Sequence, residues 1–425
     1  MPTPRVAYLT SWFPAPTETF ILNELRGVLD MGLDVDVFPL FGAAKGPRHP
    51  GTDAVLERTH YMPLVGILLA QLHWLRERPR AYLAIWWRAI VGHLRAPLDL
   101  LKTLLVLPRA MWIAREIRRR GIPHVHAHWA THPALVAWVI RRLTGASYSF
   151  TAHAHDLYLH HAMLPEKVRE ARMVVTISEF NRRLIGALCG TEGERKTRVI
   201  RCGVDPDSFR RPETPVVAEG PPLVLCVAGL RDYKGQVHLV DACAALRDRG
   251  VSFRCVIVGE GPERGRLLRR IGERWLGRHV ELAGALPQDR VRQLVREAQV
   301  VVHPSVVTPS GMMDGIPVAI MEAMAAECAV VTTRVSGIPE LVKDGESGLL
   351  VQPEDPAGLA AAVERLLGDP ALRVALGAGA RKAVLERFTL QENVALLHRE
   401  LARAAVTHVP EDRRTLPGLP APAEA

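Results

Sequence analysis

Val300-Val-Val-His303, then Asp314-Gly315-Ile316-Pro317-Val-Ala-Ile-Met-Glu322-Ala-Met-Ala325, then Ala329-Val-Val-Thr-Thr333: a β-branched run, a helical segment and a second β-branched run follow one another. That alternation is the signature of parallel α/β layers. The same rhythm extends outward. Leu223–Ala228, Phe253–Val258, Val280–Ala283 and Gly348–Val351 read as further strands of the second half. The first half offers Val6–Thr10, Asp34–Leu40, His124–His128, Ser147–Thr151, Met173–Ser178 and Arg198–Cys202, with a helix starting near Thr17. Both sets predict a doubly wound parallel sheet with helices on each face.

At 425 residues the chain exceeds one ordinary core, so two domains of about 200 residues are expected. Gly203-Val-Asp205-Pro206 and the Pro-rich stretch Arg211–Pro222 read as a linker. The expected division is an N-terminal domain over 1–205, a C-terminal domain over 206–385, a helix over 386–406 and a disordered tail over 407–425. Ligands of open α/β sheets bind beyond the carboxyl ends of the strands, so two such domains facing each other would form a cleft.

With 48% hydrophobic and 23% charged residues, the chain belongs to the soluble globular class rather than the disordered or fibrous ones. Its six cysteines are far apart and form no C-x-x-C pair, which predicts free thiols in a reducing compartment and no metal framework. The N-terminus reads as a first strand rather than a signal peptide, and no apolar run is long enough to span a bilayer. The net charge of +9 is concentrated. Residues 60–120 carry eleven Lys and Arg against three acids, together with Trp74, Trp86, Trp87 and Trp112. This helical insertion suits an anionic membrane surface; an insertion packed on the protein with a solvated basic face explains the same composition. No nucleic-acid motif accompanies the charge, so no nucleic-acid partner is expected.

The chemistry concentrates around residues 314–322. Pro317 is expected at the first turn of a helix, where its missing N–H is harmless. Asp314 and Gly315 then lie in the preceding loop, and Glu322 lies more than a turn inside the helix. Two acids so placed can grip one ligand at two points, and the free N–H groups at the helix start favour anions and hydroxyls. Asp314 as a plain N-cap and Glu322 as a surface acid is the alternative.

These residues resemble the large retaining glycosyltransferase family 4 of GT-B fold, whose E-x7-E motif sits in a string ending Glu-Ala-Met-Ala. Gly315, Pro317, Glu322, Ala323, Met324 and Ala325 match it. The match continues through Ser336-Gly-Ile-Pro-Glu340, Asp344-Gly-Glu-Ser-Gly-Leu-Leu350 and, upstream, Val301-Val-His-Pro-Ser305. Ala228-Gly-Leu-Arg231-Asp-Tyr-Lys234-Gly235 resembles the family's diphosphate-binding segment. Phe13–Ile21 is similar to the first loop of exopolysaccharide-type members, and Ser149-Phe-Thr-Ala-His153-Ala-His155-Asp156 to the strand whose His faces the reaction centre.

The resemblance implies two Rossmann-like domains and transfer of sugar from a nucleotide-diphosphate sugar, UDP- or GDP-linked, to a glycan or lipid-linked acceptor. It further implies surface polysaccharide biosynthesis in the cytoplasm, with attachment at the cytoplasmic membrane face left open. Lys234, Arg231, Asp314 and His153 take the catalytic positions. Glu322, Gly315, Ile316 and Pro317 join Lys234 and Arg231 around the donor, and Glu18, Thr19, His153, His155 and Asp156 lie on the acceptor side. Fixed cations at a departing diphosphate are worth most in the transition state, so neither a catalytic metal nor a cofactor is expected.

Two departures matter. Asp314 replaces the family's Glu and is shorter by one carbon, about 1.5 Å. Arg231 stands closer to Lys234 than the family's Arg does, so a plain ion pair with Asp232 is an alternative for it. His155, two residues beyond His153, faces the same way only if the strand persists. A zinc site built from the histidines lacks a Cys or Glu at ligand spacing. No position suggests a carboxylate nucleophile, so front-face departure and attack is favoured over double displacement. The competing reading is a catalytically weak relative that binds nucleotide or glycan. An oxidoreductase is disfavoured because no G-x-G-x-x-G follows the first strand, and a phosphorylase because nothing resembles a pyridoxal phosphate lysine.

Overall fold

All twelve runs read as strands form strands, gathered into two six-stranded sheets. The computed structural model describes residues 4–15, 18–44, 49, 51–210 and 220–406. Most of the expected linker and the whole expected tail over 407–425 lie outside the described residues. The first sheet contains β1 (Arg5–Thr10), β2 (Asp34–Pro39), β3 (His124–His128), β4 (Ser147–Ala152), β5 (Met173–Thr176) and β6 (Thr197–Val199), in the order β2-β1-β3-β4-β5-β6. The second contains β7 (Leu223–Val227), β8 (Arg254–Val258), β9 (Val280–Gly284), β10 (Val300–His303), β11 (Ala329–Thr333) and β12 (Leu349–Val351), in the order β12-β11-β10-β7-β8-β9. The described strand pairs are parallel. Winding reverses between β1 and β3 in one sheet and between β7 and β10 in the other. Each reversal is a topological switch point, where open α/β sheets bind ligands.

The central strands of the second sheet are apolar on both faces because helices cover both. In the second sheet Leu223 and Leu225 join one core layer while Val224 and Cys226 join the other. That is the two-residue period of a strand expressed as two cores. Each fully buried Leu or Val in these layers contributes about 1.5–3 kcal/mol.

The chain divides into two units that interleave along the sequence. One runs up to Thr176, takes in Arg183–Arg198 and resumes at Val394; the other holds Ile177–Arg182 and Val199–Asn393. Within the first unit the helices Leu64–Glu77, Pro79–His93 and Pro97–Arg120 form the insertion. Their inner faces bury Trp74, Ile85, Ala89 and Val106. Trp74 Nε1 donates to the Met111 carbonyl at 2.8 Å, and Gln71 Nε2 donates to the carbonyl of Pro108, which lies inside the third helix, at 3.0 Å. No disulfide joins any of the six cysteines among the described residues. Among the described residues no helix is long and apolar enough to cross a membrane.

The structure corrects several details. The first helix begins at Thr19 rather than near Thr17, and Thr17 itself lies outside the described residues. Pro317 is the N-cap of the helix Val318–Ala325 rather than a residue of its first turn, with φ −66° and ψ 126°. β6 ends at Val199, short of Cys202. The C-terminal helical stretch is broken at Phe388, between Pro370–Arg387 and Leu390–Val406. There Val204 N donates to the Phe388 carbonyl at 3.0 Å and Leu390 N to the Val204 carbonyl at 2.9 Å. An extended strand segment thus takes the backbone groups that a continuous helix would use.

Close backbone approach elsewhere yields a paired prediction. A Cβ on Gly377, inside the helix Pro370–Arg387, would lie 2.2 Å from the Glu327 carbonyl oxygen, whereas one on Gly272 meets nothing within 4 Å. Gly377→Ala is therefore expected to destabilise by about 1–3 kcal/mol. Gly272→Ala, in the exposed helix Arg264–Glu273, should stabilise by up to about 1 kcal/mol. Urea denaturation of the two variants measures both signs; a stabilised Gly377→Ala would refute the packing account.

Candidate active site

The loops that leave β7 and β10 meet at the switch point of the second sheet. After β7 the chain runs through Arg231 into a short turn, Asp232–Lys234, that ends on Gly235 at φ +66°. A Cβ there would stand 2.0 Å from the Pro304 carbonyl oxygen, so only glycine lets this turn press against the segment that follows β10. Tyr233 reinforces the contact by accepting a bond from Val306 N at its carbonyl, 2.9 Å.

The close approach delivers Lys234 to Asp314. Lys234 Nζ donates to Asp314 Oδ1 at 2.6 Å, and Ser305 Oγ donates to Asp314 Oδ2 at 2.6 Å. His303 Nδ1 lies 2.9 Å from Ser305 Oγ, and Thr333 Oγ1 donates to the Ser305 carbonyl at 2.5 Å. Burial pushes the Asp314 carboxyl up. The Lys234 ammonium, His303 and the bonds from Lys234 and Ser305 outweigh it and hold the group below its ordinary value. Asp314 is therefore an anion in the resting protein. Burial, followed by the Lys234 charge, lowers His303 to about 4, so its imidazole is neutral.

Gly315, Ile316 and Pro317 continue from Asp314 as a buried segment into the helix Val318–Ala325. Glu322 lies on that helix, half-buried, and burial raises its carboxyl to about 7 against a partial opposing pull from Arg292. Arg231 is exposed and, among the described residues, forms no ion pair; the pairing with Asp232 considered from sequence is absent, since Asp232 Oδ1 accepts from Tyr233 N instead. The donor-side residues named from sequence therefore cluster on two adjacent loops and one helix, with Arg231 at the rim of the first loop. Ser305 and His303 entered the sequence reading only within the matched string Val301–Ser305, with no role of their own. Their signal was a polar pair at the end of an apolar run: His303 closes β10, and Ser305 lies just beyond it within hydrogen-bond reach.

The first unit builds a second polar cluster at its own switch point. Strand alternation puts His124, His126 and His128 on one face of β3, opposite Ser147, Ser149 and Thr151 of β4. His126 uses both ring nitrogens on Ser149 and Thr151, at 2.8 and 3.0 Å. His128 lies 3.0 Å from Glu24 Oε1 through Nε2 and 3.3 Å from His153 Nε2 through Nδ1. Tyr8 adds a bond to Glu24 at 3.1 Å. Glu24, from the helix Thr19–Asp30, supplies the carboxylate that sequence spacing did not reveal: Glu24, His126 and His128 each place a potential metal-ligand atom within 4.8 Å of the others. Hydrogen bonds within the protein already account for these atoms.

Among the predicted acceptor-side residues, Glu18 caps the start of that helix without a side-chain cap bond, and Thr19 is its first residue. Burial raises the Glu18 carboxyl, and its Oε2 has no hydrogen-bond partner in the protein. His153 is buried, its ring 4.6 Å from Trp129 and 4.9 Å from Phe20, and burial holds it neutral. Two readings change. β4 ends at Ala152 and His155 opens a new helical turn, so His155 does not share the facing of His153 through a strand. Asp156 spends its carboxylate on the backbone N–H groups of Ala130, His153 and Ala154, which makes it a positioning residue.

Comparison with known proteins agrees with this architecture. Residues 17–208 match the family described as Glycosyltransferase Family 4, and residues 209–383 match Glycosyl transferases group 1. The chain is 32% identical over 388 residues to a Salmonella typhimurium protein named as a colanic acid biosynthesis glycosyltransferase, covering 84% of this chain and 89% of that one. It is 28% identical to the amylovoran biosynthesis glycosyltransferase of Erwinia amylovora, covering 94% and 98%. Among solved structures, the sucrose-phosphate synthase of Thermosynechococcus elongatus superposes with a TM-score of 0.71 at 21% identity, over 94% of this chain and 100% of that one. The Anabaena HepE protein in complex with UDP gives 0.69 at 18%, with the same coverage. Two doubly wound parallel units of this kind are the GT-B fold. The chain belongs to the group 1 glycosyltransferases of family 4.

Proposed function

We propose that this protein is a retaining glycosyltransferase that moves sugar from a nucleotide-diphosphate sugar to a glycan or lipid-linked acceptor in surface polysaccharide biosynthesis. The observation that carries the reading is the Lys234–Asp314 contact at the β7/β10 switch point, directly ahead of the helix that bears Glu322. A diphosphate entering there takes over the Lys234 ammonium, with Arg231 available at the rim. Asp314, kept in place by Ser305, then faces the donor sugar, and Glu322 accepts from the ribose hydroxyls. As the glycosidic bond breaks, its electron pair leaves with the diphosphate, whose oxygen takes the proton of the attacking acceptor hydroxyl on the same face. Lys234 and the helix N-terminus stabilise that departing charge, so no metal or cofactor is assigned to the step.

The structures of HepE with UDP and UDP-glucose, and a mycobacterial relative named for its GDP-mannose dependence, support a UDP- or GDP-sugar donor. The relatives named for amylovoran and colanic acid support the polysaccharide product. Six cysteines without a disulfide suit work in the cytoplasm. A second reading, a nucleotide- or glycan-binding relative with weak catalysis, draws on the engagement of both Asp314 oxygens by Lys234 and Ser305.

A thermal-shift screen of UDP-, GDP- and ADP-sugars tests the donor site, since a ligand at 100 times its Kd adds about 2.7 kcal/mol to stability. Lys234→Ala should erase the shift and lower kcat/KM by about 2.7–4 kcal/mol, a hundredfold to a thousandfold. A shift without transfer would favour the binding-only reading, and a product of inverted anomeric configuration would exclude retention.

The Glu322 carboxyl gives a pH signature. Its folded value of about 7 lies above the ordinary 4.5, so the native state holds the proton more tightly than the unfolded one. Ligand-free stability is unaffected below pH 4.5, falls as pH rises toward 7, and is lower by up to about 3 kcal/mol above that. Glu322→Gln should remove this fall in a series of melting curves; an unchanged pH profile would show that Glu322 titrates normally. Ribose hydroxyls prefer the carboxylate, so donor affinity in the unmodified protein should rise through pH 7.

A further inference from the structure

The insertion turns its inner face to the protein and leaves an apolar outer face uncovered. Fourteen of the twenty-five exposed large apolar side chains among the described residues fall between Leu64 and Leu105. They are not scattered. In the helix Pro79–His93, Ile85, Ala89 and His93 are buried at a spacing of four. Leu83, Trp87 and Val91 are exposed at the same spacing, on the opposite side, with Trp87 68% exposed. The helix Leu64–Glu77 repeats the arrangement, burying Ala70 and Trp74 while exposing Leu64, Leu68 and Leu72. Leu98, Leu101 and Leu105 extend the exposed set into the first turns of the helix Pro97–Arg120. An apolar face of this kind marks an interaction surface.

Charge indicates what covers it. Arg80, Arg88 and Arg95 flank the Leu83–Trp87–Val91 stripe, and Arg76 and Lys102 are exposed on the neighbouring helices. Of these five bases only Arg88 has an ion-pair partner among the described residues, Glu166 at 2.9 Å. Between Leu64 and Leu105 the acids are Glu77 and Asp99, and Asp99 is occupied by His160. A second copy of the chain docking through this face would set these bases against one another. An anionic bilayer meets both halves of the pattern, taking leucines and an indole into the acyl boundary and arginines among the headgroups.

We infer that the outer face of the helices Leu64–Glu77, Pro79–His93 and Pro97–Arg120 lies in the surface of an anionic lipid bilayer, as a peripheral anchor for the catalytic units. The face is solvent-exposed and belongs to the unit that does not contain Lys234, Asp314 or Glu322, so its variants change no donor-site residue.

Co-sedimentation of the full chain with vesicles tests this, independently of any donor or acceptor. One set is phosphatidylcholine alone; the other is phosphatidylcholine and phosphatidylglycerol in equal parts. Strong partition into the anionic set, weakening with salt, is expected. Leu83→Glu/Trp87→Glu/Val91→Glu should reduce it at least tenfold. Arg80→Ala/Arg95→Ala/Lys102→Ala should reduce it about a hundredfold, roughly fivefold per base. The thermal shift with the donor sugar identified by the screen, or with UDP alone, verifies that each variant is folded. Absence of wild-type binding to anionic vesicles overturns the inference, as does full binding by the Leu83/Trp87/Val91 variant. Self-association of the wild type that this variant abolishes, without vesicle binding, overturns it in favour of a second copy.

Discussion

An ammonium and a carboxylate removed from water repay their desolvation only when their geometry is good and their remaining valences are filled. Lys234 and Asp314, with side chains 16% and 10% exposed, meet both conditions. The pair closes at hydrogen-bond distance, and Ser305 fills the second carboxylate oxygen. Because β7 and β10 are neighbours in the sheet, the contact spans the point where the winding reverses. It ties the first loop of the unit to the loop that launches the helix bearing Glu322. Gly235 is what allows the approach, since any side chain there would collide with the backbone after β10. A cation is thus held in a fixed position at the head of this loop.

Most of the fold was legible in the sequence because β7, β8, β10 and β11 are short apolar runs, and the remaining strands show β-branched or alternating residues between helical segments. Boundaries were less legible where backbone pairing, rather than side-chain pattern, decides them. The break at Phe388 depends on a bridge to Val204, far away in sequence. The cluster of Lys234 with Asp314, ahead of the helix bearing Glu322, was readable because each residue sits in a motif whose setting is itself informative. Ser305 and His303 were harder to see, since short polar residues at a strand end usually mean only that the strand has ended. Glu24 could not be paired with His128 from spacing, because one comes from a helix and the other from a strand over a hundred residues later. Asp156 misled for a local reason: an Asp that accepts from nearby backbone N–H groups shapes a turn and looks in sequence like any other acid. The half-burial that lifts Glu322 to about 7 belongs to packing and has no sequence signature.

The histidines of β3 are organised by the sheet. The ladder of His124, His126 and His128 against the hydroxyls of β4 explains why so polar a strand can be fully buried: every ring nitrogen faces a partner on the adjacent strand or on Glu24 or His153. Of the alternatives that composition left open for the insertion, packing on the protein is what the structure shows. Its inner face packs through Trp74 and Ile85, and the apolar residues beyond that packing lie outside.

The interleaving of the two units constrains how the protein can be dissected. A cut in the 211–219 stretch, the obvious place to separate the halves, would strip the first unit of the helix that brings Val394 against Gly27, where a Cβ would stand 2.7 Å from its methyl. The same cut would deprive the second unit of Ile177–Arg182, including the Glu179 and Phe180 N–H groups that Glu340 accepts at 2.9 Å each. Neither fragment carries its own complete wall. Exchanging the first unit of this chain for another therefore needs more than one junction, with the final helix moving together with the N-terminal residues.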